Sequence, residues 1–146
     1  QISTGQFNDV TQSWGETDMG ASRGFVMVDI DGNGILDIVK RDIYGKAVIY
    51  LSNCRLNNTM IRLELQQPGM NPNAIGARIS LWAGGIRQTR WIISGSTNIA
   101  SGGPPEAEFG LGSATQVDRI EILWPDGATS TIETPQPANE FLKIIR

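Results

Sequence analysis

Ile61-Arg62-Leu63-Glu64-Leu65 carries an apolar side chain at every second position. Successive side chains of an extended strand point to opposite faces, so this alternation marks a strand with one face buried and the other in water. The same rhythm, interrupted by turn residues, continues on both sides. It predicts strands over residues 60–67, 77–83, 87–94, 117–124, 129–133 and 140–145 downstream, and shorter ones over 24–30, 36–41 and 47–51 upstream. Almost no stretch shows a helical apolar period, and 17 glycines supply the punctuation between strands. The fold class is all-β. The first third reads as one antiparallel sheet of roughly three or four strands, and the remainder as a sandwich or barrel.

Two segments break the pattern. Residues 68–73 and 95–105 are built from Gly, Pro, Asn and Ser, which turn the chain or resist pairing, and the longer is a surface loop. A polar stretch near residues 54–59 marks a boundary. Three parts follow: an N-terminal segment over 1–22, polar and extended in character; a small sheet over 23–56; and a larger β domain over 57–146.

Composition narrows the function classes. A chain of 146 residues with 40% hydrophobic and 18% charged residues can bury a real core. Its net charge is -3 and no run of Lys or Arg could neutralise a row of phosphates, which argues against nucleic acid as a partner. No apolar run approaches the roughly 20 residues of a membrane-spanning helix. Histidine is absent, so the imidazole bases and ligands of serine, cysteine and zinc hydrolases are missing. The single cysteine, Cys54, forms no internal disulfide. The chain opens on polar Gln1 with no apolar leader in view, as a mature secreted form would.

The strongest chemical signal is Asp29-Ile30-Asp31-Gly32-Asn33-Gly34-Ile35-Leu36-Asp37. Oxygen-bearing side chains recur at alternate places, Gly34 supplies a sharp turn, and the Ile35 carbonyl is available beside it. Calcium takes six to eight oxygens at about 2.3–2.6 Å, and such spacing wraps a short loop around that sphere. The expected ligands are the side chains of Asp29, Asp31, Asn33 and Asp37 with the Ile35 carbonyl. An EF-hand is excluded because Lys40 stands where its bidentate acid belongs and both flanks read as strands. The competing reading is a polar turn whose Asp and Asn residues merely satisfy backbone groups.

Residues beyond the loop carry a resemblance. Phe7-Asn8-Asp9-Val10-Thr11, Arg23-Gly24 ahead of the loop and Tyr50-Leu51-Ser52-Asn53 after it resemble one FG-GAP or VCBS-type calcium-binding repeat, a blade of integrin-like propellers. Asn73-Ala74-Ile75-Gly76-Ala77-Arg78, Phe109-Gly110-Leu111-Gly112 and Trp124-Pro125-Asp126-Gly127 resemble the ASPIC/UnbV domain that often follows such repeats. The resemblance implies a secreted or cell-surface β-protein that binds calcium, and it supplies no catalytic residues. A single blade leaves edge strands and an apolar face to be covered. Either the ASPIC-like half packs on it, or a strand from another copy does. The segment containing Phe7, Val10 and Trp14 is the candidate donor, and head-to-tail donation would build a filament.

Other residues have weaker readings. Asn57 heads an Asn-x-Thr sequon, a glycan acceptor in a secreted eukaryotic protein. Trp14, Trp82, Trp91 and Trp124 could form a sugar-binding platform, although tryptophans in alternating strands are more often core. Arg78, Arg87 and Arg90 suggest an anion site, but Arg87 and Arg90 differ in parity and so face opposite ways. Glu106 and Glu108, with Asp118 or Glu121, recreate a glycosidase-like carboxylate set without a cleft signal. The expected function is a non-enzymatic calcium-binding structural module that assembles with copies of itself or other extracellular proteins. A carbohydrate- or matrix-binding adhesion domain is the alternative, and a glycoside-hydrolase-like enzyme stands third.

Overall fold

The computed structural model describes residues 7–13, 15, 20–31, 35–52, 58–95 and 101–146. These form β-strands, turns and irregular segments, with no helix among the described residues. The strands are β1 (Ser22–Val28), β2 (Asp37–Asp42), β3 (Ala47–Tyr50), β4 (Thr59–Gln66), β5 (Arg78–Ala83) and β6 (Ile86–Trp91). The chain continues through β7 (Glu106–Gly112), β8 (Gln116–Val117), β9 (Arg119–Leu123), β10 (Thr129–Ile132), β11 (Gln136–Pro137) and β12 (Glu140–Ile145). They pair into four sheets, ordered β1-β2-β3, β10-β9-β5-β6, β11-β8 and β12-β4-β7. No sheet closes into a barrel among the described residues.

The larger part is two sheets sharing one apolar core. Ile61, Leu63 and Leu65 point inward from β4, Ala107, Phe109 and Leu111 from β7, Ile79 and Leu81 from β5, and Ile120 and Ile122 from β9. The alternation in residues 61–65 becomes burial by alternate positions: β4 reads buried at 61, 63 and 65 and half-buried between. β7 sits beside β4 because Phe109 and Leu111 repeat the same period, and its alternating glycines, Gly110 and Gly112, carry no side chain. Gly112, at φ 60°, lies where the β4–β7 register shifts between Thr59 and Met60.

Tight turns fix the order of the strands. Gly84 and Gly85, both with positive φ (55° and 77°), make the two-residue β5–β6 hairpin, the geometry that matches the twist of paired strands. The Trp124-to-Gly127 motif is the β9–β10 turn: Gly127 N–H donates to the Trp124 carbonyl at 2.9 Å, and the Ala128 N–H to Asp126 Oδ1 at 3.1 Å. The Trp124 indole is buried and donates to Ser130 Oγ at 2.8 Å. In the other motif loop, Asn71 accepts from the Ile75 N–H at 3.0 Å and donates to its carbonyl at 2.9 Å.

The β1-β2-β3 sheet is built differently. It is antiparallel throughout, with Val26 opposite Val39 and Ile38 opposite Tyr50. Among the described residues every buried apolar one lies at or after Ile61, whereas this sheet buries two carboxylates, Asp37 and Asp42. Phe25 and Met27 on β1 and Ile49 on β3 are each more than half exposed.

The structure departs from the expected strands in several places, the short β11 among them. β7 was not expected either, and β12 joins β4 in parallel, with Leu142 opposite Leu63. The N-terminal segment, expected to be extended, turns at residues 11–13. Asp9 Oδ1 accepts from both the Thr11 N–H at 3.0 Å and its hydroxyl at 2.6 Å. This Asx turn holds Asp9 below its ordinary pKa through the Thr11 side chain first and the Thr11 backbone second.

Stability should reside in the shared core. Leu63→Ala, at a fully buried position, is expected to cost about 2–5 kcal/mol in chemical denaturation. Phe25→Ser, at a position 53% exposed, should cost far less.

Candidate metal centre

Asp29 follows β1, Asp31 lies in the connecting loop and Asp37 opens β2. The antiparallel pairing of Val28 with Asp37 brings the two ends of this loop together. One carboxylate oxygen from each of Asp29, Asp31 and Asp37 then lies within 4.8 Å of the others. Oxygens on opposite sides of a calcium ion are about 4.6–5.2 Å apart, twice the metal–oxygen distance, so the three fit a single shell. Ile35 lies in the same loop, half-buried; Asn33 falls outside the described residues.

Asp37 differs from its partners. It is fully buried, and its carboxylate is already engaged: Oδ2 accepts from the Ile30 N–H at 3.0 Å and Oδ1 from the Ser52 N–H at 2.8 Å. Ser52 in turn donates its hydroxyl to the Leu36 carbonyl at 2.7 Å. A carboxylate has roughly four acceptor positions, so these bonds leave room for a cation. They also mean that Asp37 ties the loop to the end of β3. Asp29 is half-buried and Asp31 exposed, so the cluster is open to solvent on one side.

The charge of Asp29 is felt in the neighbouring β-layer. Arg62 on β4 bridges Glu108 at 2.9 Å and Glu106 at 3.7 Å on β7, on the outward face of the sheet. Burial raises the Glu108 pKa above its ordinary value; Arg62 opposes this, while Glu106 and Asp29 add to it. Asp29 therefore lies within electrostatic reach of the larger layer. Nearby, a methyl group on Gly103 would stand 3.9 Å from Val26. Of the carboxylates expected to mimic a glycosidase set, Glu106 and Glu108 are brought together across an arginine that bridges both, whereas Glu121 lies on the four-stranded sheet.

The remaining predicted residues are dispersed. Phe7 is 79% exposed and Val10 half-buried, both far in sequence from any described strand of the first sheet; Trp14, Cys54 and Asn57 lie outside the described residues. Trp124 is core, Trp82 half-buried and Trp91 exposed. Arg87 and Arg90 do face opposite ways: Arg87 stacks over Trp82 and Arg90 over the core ring of Phe109. Sequence reasoning missed the double bonding of Asp37. Its only sequence signal is Ser52, whose backbone partner is set by the fold.

A sequence profile of the family described as ASPIC and UnbV matches residues 67–146, more than half of the chain. The chain belongs to this family. The matched stretch contains all three motifs, Asn73 to Arg78, Phe109 to Gly112 and Trp124 to Gly127, and begins downstream of the aspartate loop. Cartilage acidic protein 1 of Homo sapiens is 28% identical over 113 residues, covering 74% of this chain and 16% of that protein. The Mus musculus protein of the same name is 26% identical over 132 residues, covering 86% of this chain and 20% of its own. The chain thus spans a fifth or less of the curated relatives' length.

The two roles of Asp37 and Asp31 separate by mutation. In calcium-free buffer Asp37→Ala removes the acceptor of two part-buried backbone donors and should lower stability by about 1–3 kcal/mol. Asp31→Ala, at an exposed side chain, should cost less calcium-free stability than Asp37→Ala. Denaturant titration of both proteins checks this.

Proposed function

We propose that this chain is an extracellular, non-enzymatic structural module in which calcium rigidifies the β1-β2-β3 sheet. Asp29, Asp31 and Asp37 would supply carboxylates, with Asn33 and the Ile35 carbonyl completing the shell, in a blade of the FG-GAP/VCBS type. The observation that carries this reading is the convergence of three carboxylates within 4.8 Å on a sheet that has no buried apolar residue of its own. Three like charges at that separation repel, so a dication there replaces repulsion with attraction and ties β1, the loop and β2 together. The word cartilage in the relatives' name supports an extracellular setting.

A structural role also fits the edges of this sheet. β1 and β3 are its two rims, and each carries apolar side chains that are more than half exposed. A further strand from a copy of this chain or from another extracellular protein would cover them. The stretch around Phe7 and Val10 lies outside every described sheet and is short enough to add one strand before the turn at residues 11–13.

Calcium at a hundredfold excess over its dissociation constant should stabilise the folded chain by about 2.7 kcal/mol, and a chelator should reverse it. Asp31→Ala should abolish that increment. A melting temperature indifferent to calcium in the parent chain would refute the site. Assembly has its own test: in calcium, the chain should elute from a sizing column in species larger than a monomer as concentration rises, and Phe25→Asp with Ile49→Asp should return it to a monomer. A parent chain that stays monomeric throughout would exclude self-assembly through these rims.

A further inference from the structure

The four-stranded sheet buries one face and presents the other to solvent, and the register fixes what that outer face carries. Arg78, Ser80 and Trp82 of β5 stand opposite Trp91, Thr89 and Arg87 of β6, and opposite Leu123, Glu121 and Arg119 of β9. Thr129 and Thr131 of β10 extend the first two rows. Alternation puts all of these on the face away from Ile79, Leu81, Ile120 and Ile122, which fill the core.

The arginines of this face are stacked on its indoles. Arg87 and Arg119 lie over the Trp82 ring at 5.2 and 5.3 Å, and Arg78 lies over Trp91 at 5.8 Å. Arg87 also donates to Ser80 Oγ at 3.1 Å, and Arg119 pairs with Glu121. The face therefore holds three guanidinium groups against one carboxylate, in a chain whose net charge is -3. Stacking restricts each guanidinium while leaving its planar N–H donors available, so little conformational freedom remains to be lost when an anion binds. Between the rows lies a cavity of about 220 Å³ lined by Arg78 and Ser80 of β5, residues 121–123 of β9 and residues 129–131 of β10, which is below the range of drug-sized pockets and of a size for a single ring. Across Arg78 from it, Trp91 of β6 is 54% exposed.

We propose that this face binds an acidic polysaccharide, whose carboxylate or sulfate groups meet Arg78, Arg87 and Arg119 and whose sugar hydroxyls meet Thr129 and Thr131. Charge complementarity selects an anion, and the threonine hydroxyls lining the hollow select a sugar over an acidic peptide. Trp82 acts as a post that positions two arginines rather than as a sugar platform, since guanidinium groups already stand over it. The surface is independent of the calcium reading: the aspartate cluster is within reach of Glu108, which belongs to the outward face of the other sheet of the sandwich.

Calorimetric titration of a heparin hexasaccharide into the whole chain, in chelator, tests the proposal. Binding is expected, weakening steeply with salt, with a change in indole fluorescence. Arg87→Gln combined with Arg119→Gln should weaken it by at least about tenfold, Arg87→Lys should fall between, and Glu121→Gln should tighten it. Should the double variant fail to fold, Arg78→Gln, at an exposed side chain, provides the same reading with a smaller loss. Absence of binding, equal binding by the folded arginine variants, or equal binding of a neutral dextran oligosaccharide would overturn the proposal. Hexaglutamate binding as tightly as the heparin fragment would overturn it in favour of an acidic peptide.

Discussion

The carboxylate of Asp37 occupies a buried position where the end of β1, the loop after it and the end of β3 converge. It receives one backbone donor from Ile30 and another from Ser52, and it stands beside Asp29 and Asp31. Charged oxygens are costly to bury unless they are hydrogen-bonded or paired. Here the bonds come from the backbone of the two segments that must be held together. A three-stranded sheet without an apolar core has few other means of fixing its strand ends. Asp42 repeats the device at the opposite end of β2, accepting from the Ser22 hydroxyl at 2.7 Å and facing Lys40 at 3.6 Å. A methyl on Gly45 would come within 2.9 Å of the Asp42 Cβ, so this turn needs glycine to let the carboxylate in.

The larger part of the chain relies on the opposite principle. Its strands interleave aliphatic and aromatic side chains from two sheets, and its family motifs are the turns that keep those strands in order. Gly127 closes the β9–β10 turn at φ 87°, Gly76 at φ 92° follows the loop clasped by Asn71, and Gly112 sits at the bulge. Arg146 adds a last clasp, pairing with Asp126 at 2.8 Å while its guanidinium lies over Trp124. That pairing and the Ala128 N–H depress the Asp126 pKa, with the backbone bond the larger cause. These motifs thus act on backbone geometry, holding the turns between strands.

Local period was enough to read the β class, the three short strands of the first sheet and the β5–β6 hairpin, because each rests on neighbours in sequence. β7 escaped because glycine at positions 110 and 112 blanks its outward face, leaving only Phe109 and Leu111 as signal. The parallel pairing of β12 with β4 escaped because it joins segments about eighty residues apart, and no local feature encodes it. At the loop, alternate carboxylates revealed which residues converge, but not that Asp37 is spoken for twice by the backbone. The outer face of the four-stranded sheet was half legible: parity separated Arg87 from Arg90, yet joining Arg119 to the same row required the β5–β9 register.

The two building principles differ in how they respond to an ion. Apolar burial in the sandwich is indifferent to a cation at the loop, whereas the first sheet depends on how its carboxylates are compensated. Their contact is narrow and mixed, with Val26 near Gly103 and Asp29 within the field of Glu108. The Glu108–Arg62–Glu106 group stands on strands whose other face carries the core residues Leu63 and Phe109. Ion compensation and apolar burial thus meet on the two faces of one sheet, sharing a backbone while each answers to its own side.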